Sequence, residues 1–376
     1  MKLSPQLKLA AGIATLAAGL LLGASVQAKD TIKIGFIGPL SGGNAYNGEG
    51  ARNGFLLALR QANQSDFPYK VEPVVLDDAA DPAVGVSAAL KLVNDKDVVA
   101  ATGHWNSAVA LATIPIFSRN KMPFIVWGAI SPEITALNVP EVTRVVPTLS
   151  AENIPLAKWA VKTKGMKTFA IVSDTSDYGA NNTKAFTALV NAAGGKVVSS
   201  DSAPVGTTDF LAILTKIRSA KPDAVYFGGV VTEAALVRKQ MTDVGMNKTP
   251  MLGISGIFDE KFTELTGRAG DGAIASITKI RDNAKQAAFT QAYQKAGFKE
   301  PAGSYGKFAY DAANILLTAI KQNGVKDKVK LAKAIRAIDY QGVLGRTQFD
   351  ANGQTKLEID ADRHIVKDGK WTELAD

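Results

Sequence analysis

From Thr31 onward, short apolar runs alternate with longer amphipathic ones, and this cycle restricts the chain to a narrow set of folds. A strand that is apolar throughout must be covered on both faces, and helices lying between such strands supply the cover. Residues 32–37 read as a first strand, followed by a glycine-rich loop at 38–43 and a helix with Phe55, Leu56, Ala58 and Leu59 at core spacing. Strands at 71–76, 98–101 and 123–126, with helices at 82–93 and 108–117, complete one open α/β unit. The cycle restarts after 142–146, with strands at 169–172, 196–199, 224–227 and 250–252 and helices at 182–193, 210–220 and 233–244. Helices at 284–296, 305–322 and 328–338 follow with no strand between them and are expected to pack back on one lobe. Turn signals at 350–353 and 367–370 predict short antiparallel strands at the end. The expected fold class is therefore α/β, with two open lobes built on mainly parallel sheets, and 376 residues suffice for about two such domains.

Residues 1–28 read as a secretory signal: Lys2 and Lys8 open it, an apolar stretch runs from Leu9 to Leu22, and Val26-Gln27-Ala28 offers a small-residue cleavage site. A membrane anchor is the rival, but Gly12, Gly19 and Gly23 dilute the run. An exported, periplasmic, soluble protein is expected. With no cysteine, disulfides, thiolate metal sites and thiol catalysis are excluded, and His104 and His364 alone leave little for a zinc site. The formal charge of +8 is spread without a dense basic run, so no nucleic-acid partner is expected. No cofactor and no metal are expected either, and the protein is expected to be a monomer.

In an open α/β sheet, ligands gather at the carboxyl ends of strands, where loops lead into helix N-termini. The loop Gly103-His104-Trp105-Asn106-Ser107 opens a helix there. Free N–H groups and the Ser107 hydroxyl would bind an anionic oxygen, unless Asn106 or Ser107 only caps the helix. Trp127-Gly128-Ala129-Ile130-Ser131 follows the next strand, and Gly128 permits close backbone approach. Trp105, Trp127 and Tyr46 lie at loop positions where they either line an apolar pocket or simply pack. In the second lobe, the segments from Asp174 to Gly179 and from Val230 to Glu233 occupy equivalent turns.

Rival chemistries are poorly supported. Gly48-Glu49-Gly50 comes too late after the first strand for a dinucleotide fingerprint. Gly303 to Lys307 imitates a phosphate loop, but Pro301 stands where a glycine is needed and Phe308 where a hydroxyl should meet magnesium. Gly253-Ile254-Ser255-Gly256-Ile257 lacks the closing glycine of a nucleophile elbow. An enzyme is not expected.

Ile34 to Gly42, Gly103-His104 with Ser107, Gly128-Ala129 with the segment from Pro132 to Thr135, and Asp174 with Tyr178-Gly179 together resemble the periplasmic leucine/isoleucine/valine-binding proteins, the type I solute receptors of ABC importers. The resemblance implies one lobe from 29–148 plus 280–345, another from 149–279 plus 346–376, and a three-crossover hinge. It also implies a small-molecule carboxylate or amino acid as ligand and a membrane permease as partner. Together with the loop reading, the candidate ligand-contacting set is Ser107, Gly128, Ala129, Ile130, Tyr178, Trp105, Asn106, Tyr46, Trp127, Val230 and Ser255. Family members hold the ammonium with a threonine and a glutamate, which here are Ile130 and Ser255. An ammonium enclosed without a counter-charge would lose about 3 to 5 kcal/mol. Either another acid, with Asp174, Asp177 and Glu233 the candidates, replaces that glutamate, or the ligand is an amine-free, apolar or aromatic acid suited to Ile130, Trp105 and Trp127.

Overall fold

The computed structural model describes residues 29–357 and 359–375. The first sheet consists of β1 (Thr31–Gly38), β2 (Lys70–Asp77), β3 (Val98–Thr102), β4 (Phe124–Val126) and β5 (Val142–Arg144), in the order β2-β1-β3-β4-β5 and parallel throughout. Consecutive side chains such as Phe36 and Ile37, or Phe124 and Ile125, are wholly buried. Helices cover both faces, which is why these strands run apolar without alternation.

The second sheet is built from β6 (Thr168–Asp174), β7 (Lys196–Ala203), β8 (Ala224–Gly228), β9 (Met251–Ile254), β10 (Ala273–Lys279), β13 (Asp360–Lys367) and β14 (Lys370–Glu373), in the order β14-β13-β10-β9-β8-β6-β7. Strands β6 to β10 are parallel, and the terminal hairpin adds antiparallel to β10 through the turn expected at 367–370. The sequence pattern does not show β10, whose apolar run is broken by Ser276 and Thr278. Nor does it show the helix Ser150–Lys158, where an interior Pro155 and buried Glu152 and Asn153 obscure the amphipathic period.

The three consecutive helices, Ala284–Lys295, Gly306–Asn323 and Lys328–Arg336, belong with the first sheet. Gly306–Asn323 crosses the helix Ala45–Asn63 so closely that a β-carbon on Gly54 would stand 2.1 Å from the Gly306 carbonyl oxygen. The chain passes between the sheets three times: after Arg144, after Lys279 and after Thr355.

The last passage comes later than the division at 346 expected from the sequence. Arg346–Thr347 (β12) pairs with Tyr340–Gln341 (β11), the Arg144 N–H donates to the Gly353 oxygen at 2.8 Å, and the Thr355 N–H donates to the Arg144 oxygen at 3.0 Å. The turn at 350–353 therefore extends the edge of the first sheet, where β5 still has unpaired backbone groups, and only from Asp360 does the chain join the second. The signal read at residues 1–28 lies outside the described residues. No described helix is long and apolar enough to cross a membrane.

Candidate functional site

The helix Ser107–Arg119 starts immediately after the loop that leaves β3. Asn106 is its cap: Oδ1 accepts the N–H groups of Ala108 at 2.9 Å and Val109 at 3.3 Å. This leaves Ser107 in the first helical position, 2% exposed, with no acceptor among the described residues for its own N–H. Its Oγ accepts the Ser131 N–H at 3.3 Å, which fastens the next loop to the helix start.

The neighbouring N–H groups are arranged differently from the sequence expectation. Gly128 permits close backbone approach, but its N–H and that of Ala129 both donate to the His104 carbonyl, at 3.2 and 3.0 Å. His104 is held wholly buried, with Nδ1 against Asp78 Oδ2 at 2.7 Å and Nε2 against Thr113 Oγ1 at 3.0 Å. It is a satisfied core histidine whose backbone shapes the loop. Gly128 lies so near Trp105 that a β-carbon there would be 3.0 Å from the Trp105 Cα. On the far side of the loop, the buried Arg144 donates to the carbonyls of Ala129, at 3.2 Å, and Ser131, and to Thr135 Oγ1 and Gln354 Oε1. Burial pulls this guanidinium down to about 9.

The second lobe contributes Tyr178. The helix expected from 182 begins at Asp177, because Ser176 Oγ accepts the Gly179 N–H at 3.2 Å and nucleates an extra turn that the apolar spacing does not show. Burial raises the Tyr178 phenol well above its ordinary range. Its hydroxyl lies over Gly256, where a β-carbon would come within 2.3 Å.

A small cavity between the lobes, about 20 Å³, brings together Trp105, Asn106, Ser107, Gly128, Ile130, Tyr178, Val230 and Ser255, all singled out from the sequence, with Gly256 and Tyr305. That is room for about one water. Asn181 of the second lobe donates to Glu133 Oε2 of the first at 2.9 Å across the closed cleft.

Three expected positions fall elsewhere. Trp127 is wholly buried and stacks on Phe36 at 5.7 Å, so packing is its role. Ala129 is buried in the first lobe's outer core. Tyr46 lines a separate cavity of about 670 Å³ with Phe258, Asp259 and Trp371.

The acids expected to meet an amine are also elsewhere. Asp174 accepts from the N–H and hydroxyl of Ser176, Glu233 accepts the Gly206 N–H at 3.0 Å, and Asp177 is exposed. None of the three lines the small cavity. Instead, a carboxylate that the sequence reading missed stands beside it. Glu152 Oε2 accepts the Ser255 N–H at 3.1 Å and its hydroxyl at 2.7 Å, and Oε1 accepts the Thr278 N–H at 3.0 Å. Burial raises this carboxyl above the ordinary range, against the opposing pull of the N–H and hydroxyl groups of Ser255 and Thr278. Glu152 lines a second cavity of about 340 Å³, which shares Ile130, Ser255 and Tyr305 with the first. The one sequence signal for it was a glutamate and an asparagine on the segment linking two lobes.

Two α/β lobes, joined by three passages of chain and closed over donors from one and a tyrosine from the other, define a cleft receptor for a small solute. The chain belongs to the periplasmic binding protein family, whose model matches residues 31–359. These are solute-binding proteins of ABC importers and not enzymes. The leucine-, isoleucine-, valine-, threonine- and alanine-binding protein of Pseudomonas aeruginosa is 30% identical over 333 residues, 88% of this chain and 88% of that one. The crystal structure of a leucine-binding protein from Thermotoga maritima superimposes with a TM-score of 0.83 at 28% identity, covering 92% of this chain and 98% of that one. The branched-chain amino acid transporter substrate-binding protein of Streptococcus pneumoniae, solved with isoleucine, gives a TM-score of 0.81 at 25% identity over 91% of this chain and 98% of that one.

Proposed function

We propose that the protein is exported by residues 1–28, captures a small amino acid or related carboxylate between its lobes, and delivers it to the membrane permease of an ABC importer. The lobes in this reading are 29–148 with about 280–357, and 149–279 with 360 onward. The observation that carries the reading is the start of the Ser107–Arg119 helix. Asn106 takes the second and third N–H groups and leaves that of Ser107, with its hydroxyl, beside the interlobe cavity. A ligand carboxylate there accepts charge-assisted hydrogen bonds and meets the positive end of the helix. Trp105, Ile130 and Val230 supply an apolar lining for a side chain, and Tyr178 closes over it from the second lobe. The branched-chain amino acids named for the relatives above fit that combination.

The solute enters with the lobes apart, because the closed cavity holds about 20 Å³. Closure then removes water and strengthens the few polar contacts. Thermal unfolding of the purified protein with leucine, isoleucine, valine, threonine and alanine tests the reading. A ligand at about 100 times its dissociation constant adds about 2.7 kcal/mol of stability. An unchanged melting curve with all five and with their desamino acids would remove the proposed ligand class.

A further inference from the structure

We infer that Glu152 is the anchor for the positively charged group of the ligand, so that the solute is a zwitterion lying between Ser107 and the hinge. This inference rests on the reading of Ser107 as the carboxylate site. Glu152 is 3% exposed, yet its hydrogen-bond donors, from Ser255 and Thr278, are all neutral. No ion pair reaches it among the described residues. Both lysines on its cavity are engaged elsewhere: Lys307 donates to Gln286 Oε1 at 2.7 Å, and Lys279 pairs with Asp362 at 2.6 Å.

A buried carboxylate without a counter-cation is unfavourable, and an ammonium supplied by a ligand relieves it. The acceptor capacity is available. Oε1 receives one N–H, and a carboxylate oxygen can take two donors. The route is available too. Ile130, Ser255 and Tyr305 border both the small cavity at Ser107 and the cavity of about 340 Å³ at Glu152, so one ligand can reach both ends. Ser255 turns its N–H and its hydroxyl toward Glu152 and thereby fixes the carboxylate at the junction of the two cavities. The zwitterion is thus read from its two ends, by donors of the first lobe and by an acceptor of the hinge helix.

Titration calorimetry on the mature protein tests this with matched pairs: L-leucine and 4-methylpentanoate, L-phenylalanine and 3-phenylpropanoate, 4-aminobutyrate and butyrate. The wild type should prefer the amine-bearing member of at least one pair by about tenfold or more, and Glu152→Gln should abolish that preference by weakening the amine-bearing member. The wild-type preference is read without any variant, so a Glu152→Gln protein that fails to fold does not shield the proposal. Equal binding within every pair, or an amine preference that survives in Glu152→Gln, overturns it. If only desamino acids bind, and Ser107→Ala weakens them, the Glu152 assignment falls while the Ser107 reading stands. If none of the six binds, both fall.

Discussion

The loops of the two lobes that meet at the cleft are built on opposite principles. In the first lobe the loops are clamped from behind: Asn106 caps its helix, the His104 carbonyl holds the N–H groups of Gly128 and Ala129, and Arg144 holds the carbonyls of Ala129 and Ser131. That clamping leaves the N–H of Ser107 as the donor turned toward the cavity. In the second lobe the acids of the turns satisfy nearby backbone, Asp174 through Ser176 and Glu233 through Gly206, and what those turns bring to the cleft is the half-buried Tyr178 and Val230. The first lobe presents a clamped donor for the carboxylate, while the turns of the second lobe at Asp174 and Glu233 supply a cover beside the Glu152 acceptor. A recognition group gains from a fixed position because its ordering is completed before the ligand arrives.

The comparison is tested most severely at Arg144. Replacing it with alanine leaves the Ala129 and Ser131 carbonyls, Thr135 and Gln354 without their buried donor. We expect a loss of about 3 to 5 kcal/mol in urea unfolding, since each orphaned buried group costs about 1 to 3 kcal/mol. A variant as stable as the wild type would show that the first-lobe loops are not held from behind. Next in size is the contrast between Ser107 and Glu233. Ser107→Ala should weaken a carboxylate ligand by about 1 to 3 kcal/mol, whereas Glu233→Gln should change affinity by no more than about 0.5 kcal/mol. Equal losses in calorimetry would erase the distinction between the lobes.

Much of this division was legible in the sequence, because hydrophobic period and helix-start chemistry are local. The parallel sheets and the Ser107 helix start follow from strands apolar on both faces and from Asn and Ser before a helix, the other cavity residues from loops at strand ends and, for Ser255, from the family resemblance. What was not legible depends on distance in space. Gly128 looked free until His104, brought back from another strand, took its N–H. Trp127 looked like a cleft aromatic, but Phe36 of β1 claims its face. Glu152 was overlooked because it sits on a hinge helix whose apolar spacing is poor, and its meaning comes from Ser255 and Thr278, over a hundred residues away. The 350–353 turn was assigned to the wrong lobe for the same reason. A turn signal gives a bend, not the sheet edge on which the bend is laid.

The carboxyl of Glu152 also sharpens the contrast through pH. Burial raises it, so it takes up a proton at a higher pH than an ordinary glutamate. The ionised form holds an ammonium, so amino-acid affinity should be constant above the raised value and fall by up to about tenfold per unit as pH drops through it. The nearby phenols of Tyr178 and Tyr305 are shifted upward and stay neutral throughout. The desamino acid should show no such loss above the range in which its own carboxyl takes up a proton, and parallel curves for the two ligands there would remove Glu152 from the amine end.

The smallest expected effect concerns the cover. Asn181 Nδ2 donates to Glu133 Oε2 at 2.9 Å, and this hydrogen bond exists only when the lobes meet. Asn181 also donates to the Asp177 carbonyl of its own helix at 2.8 Å, so its position does not depend on closure. Asn181→Ala should therefore leave folding unchanged and weaken any enclosed ligand by about 0.5 to 1.5 kcal/mol, the net worth of one hydrogen bond. Because nothing on the ligand touches Asn181 in this reading, the loss should be the same for an amino acid and for its desamino acid, and stopped-flow measurement should place it in the dissociation rate. A loss that differs between the two ligands would mean that Asn181 itself acts on the amine end of the ligand.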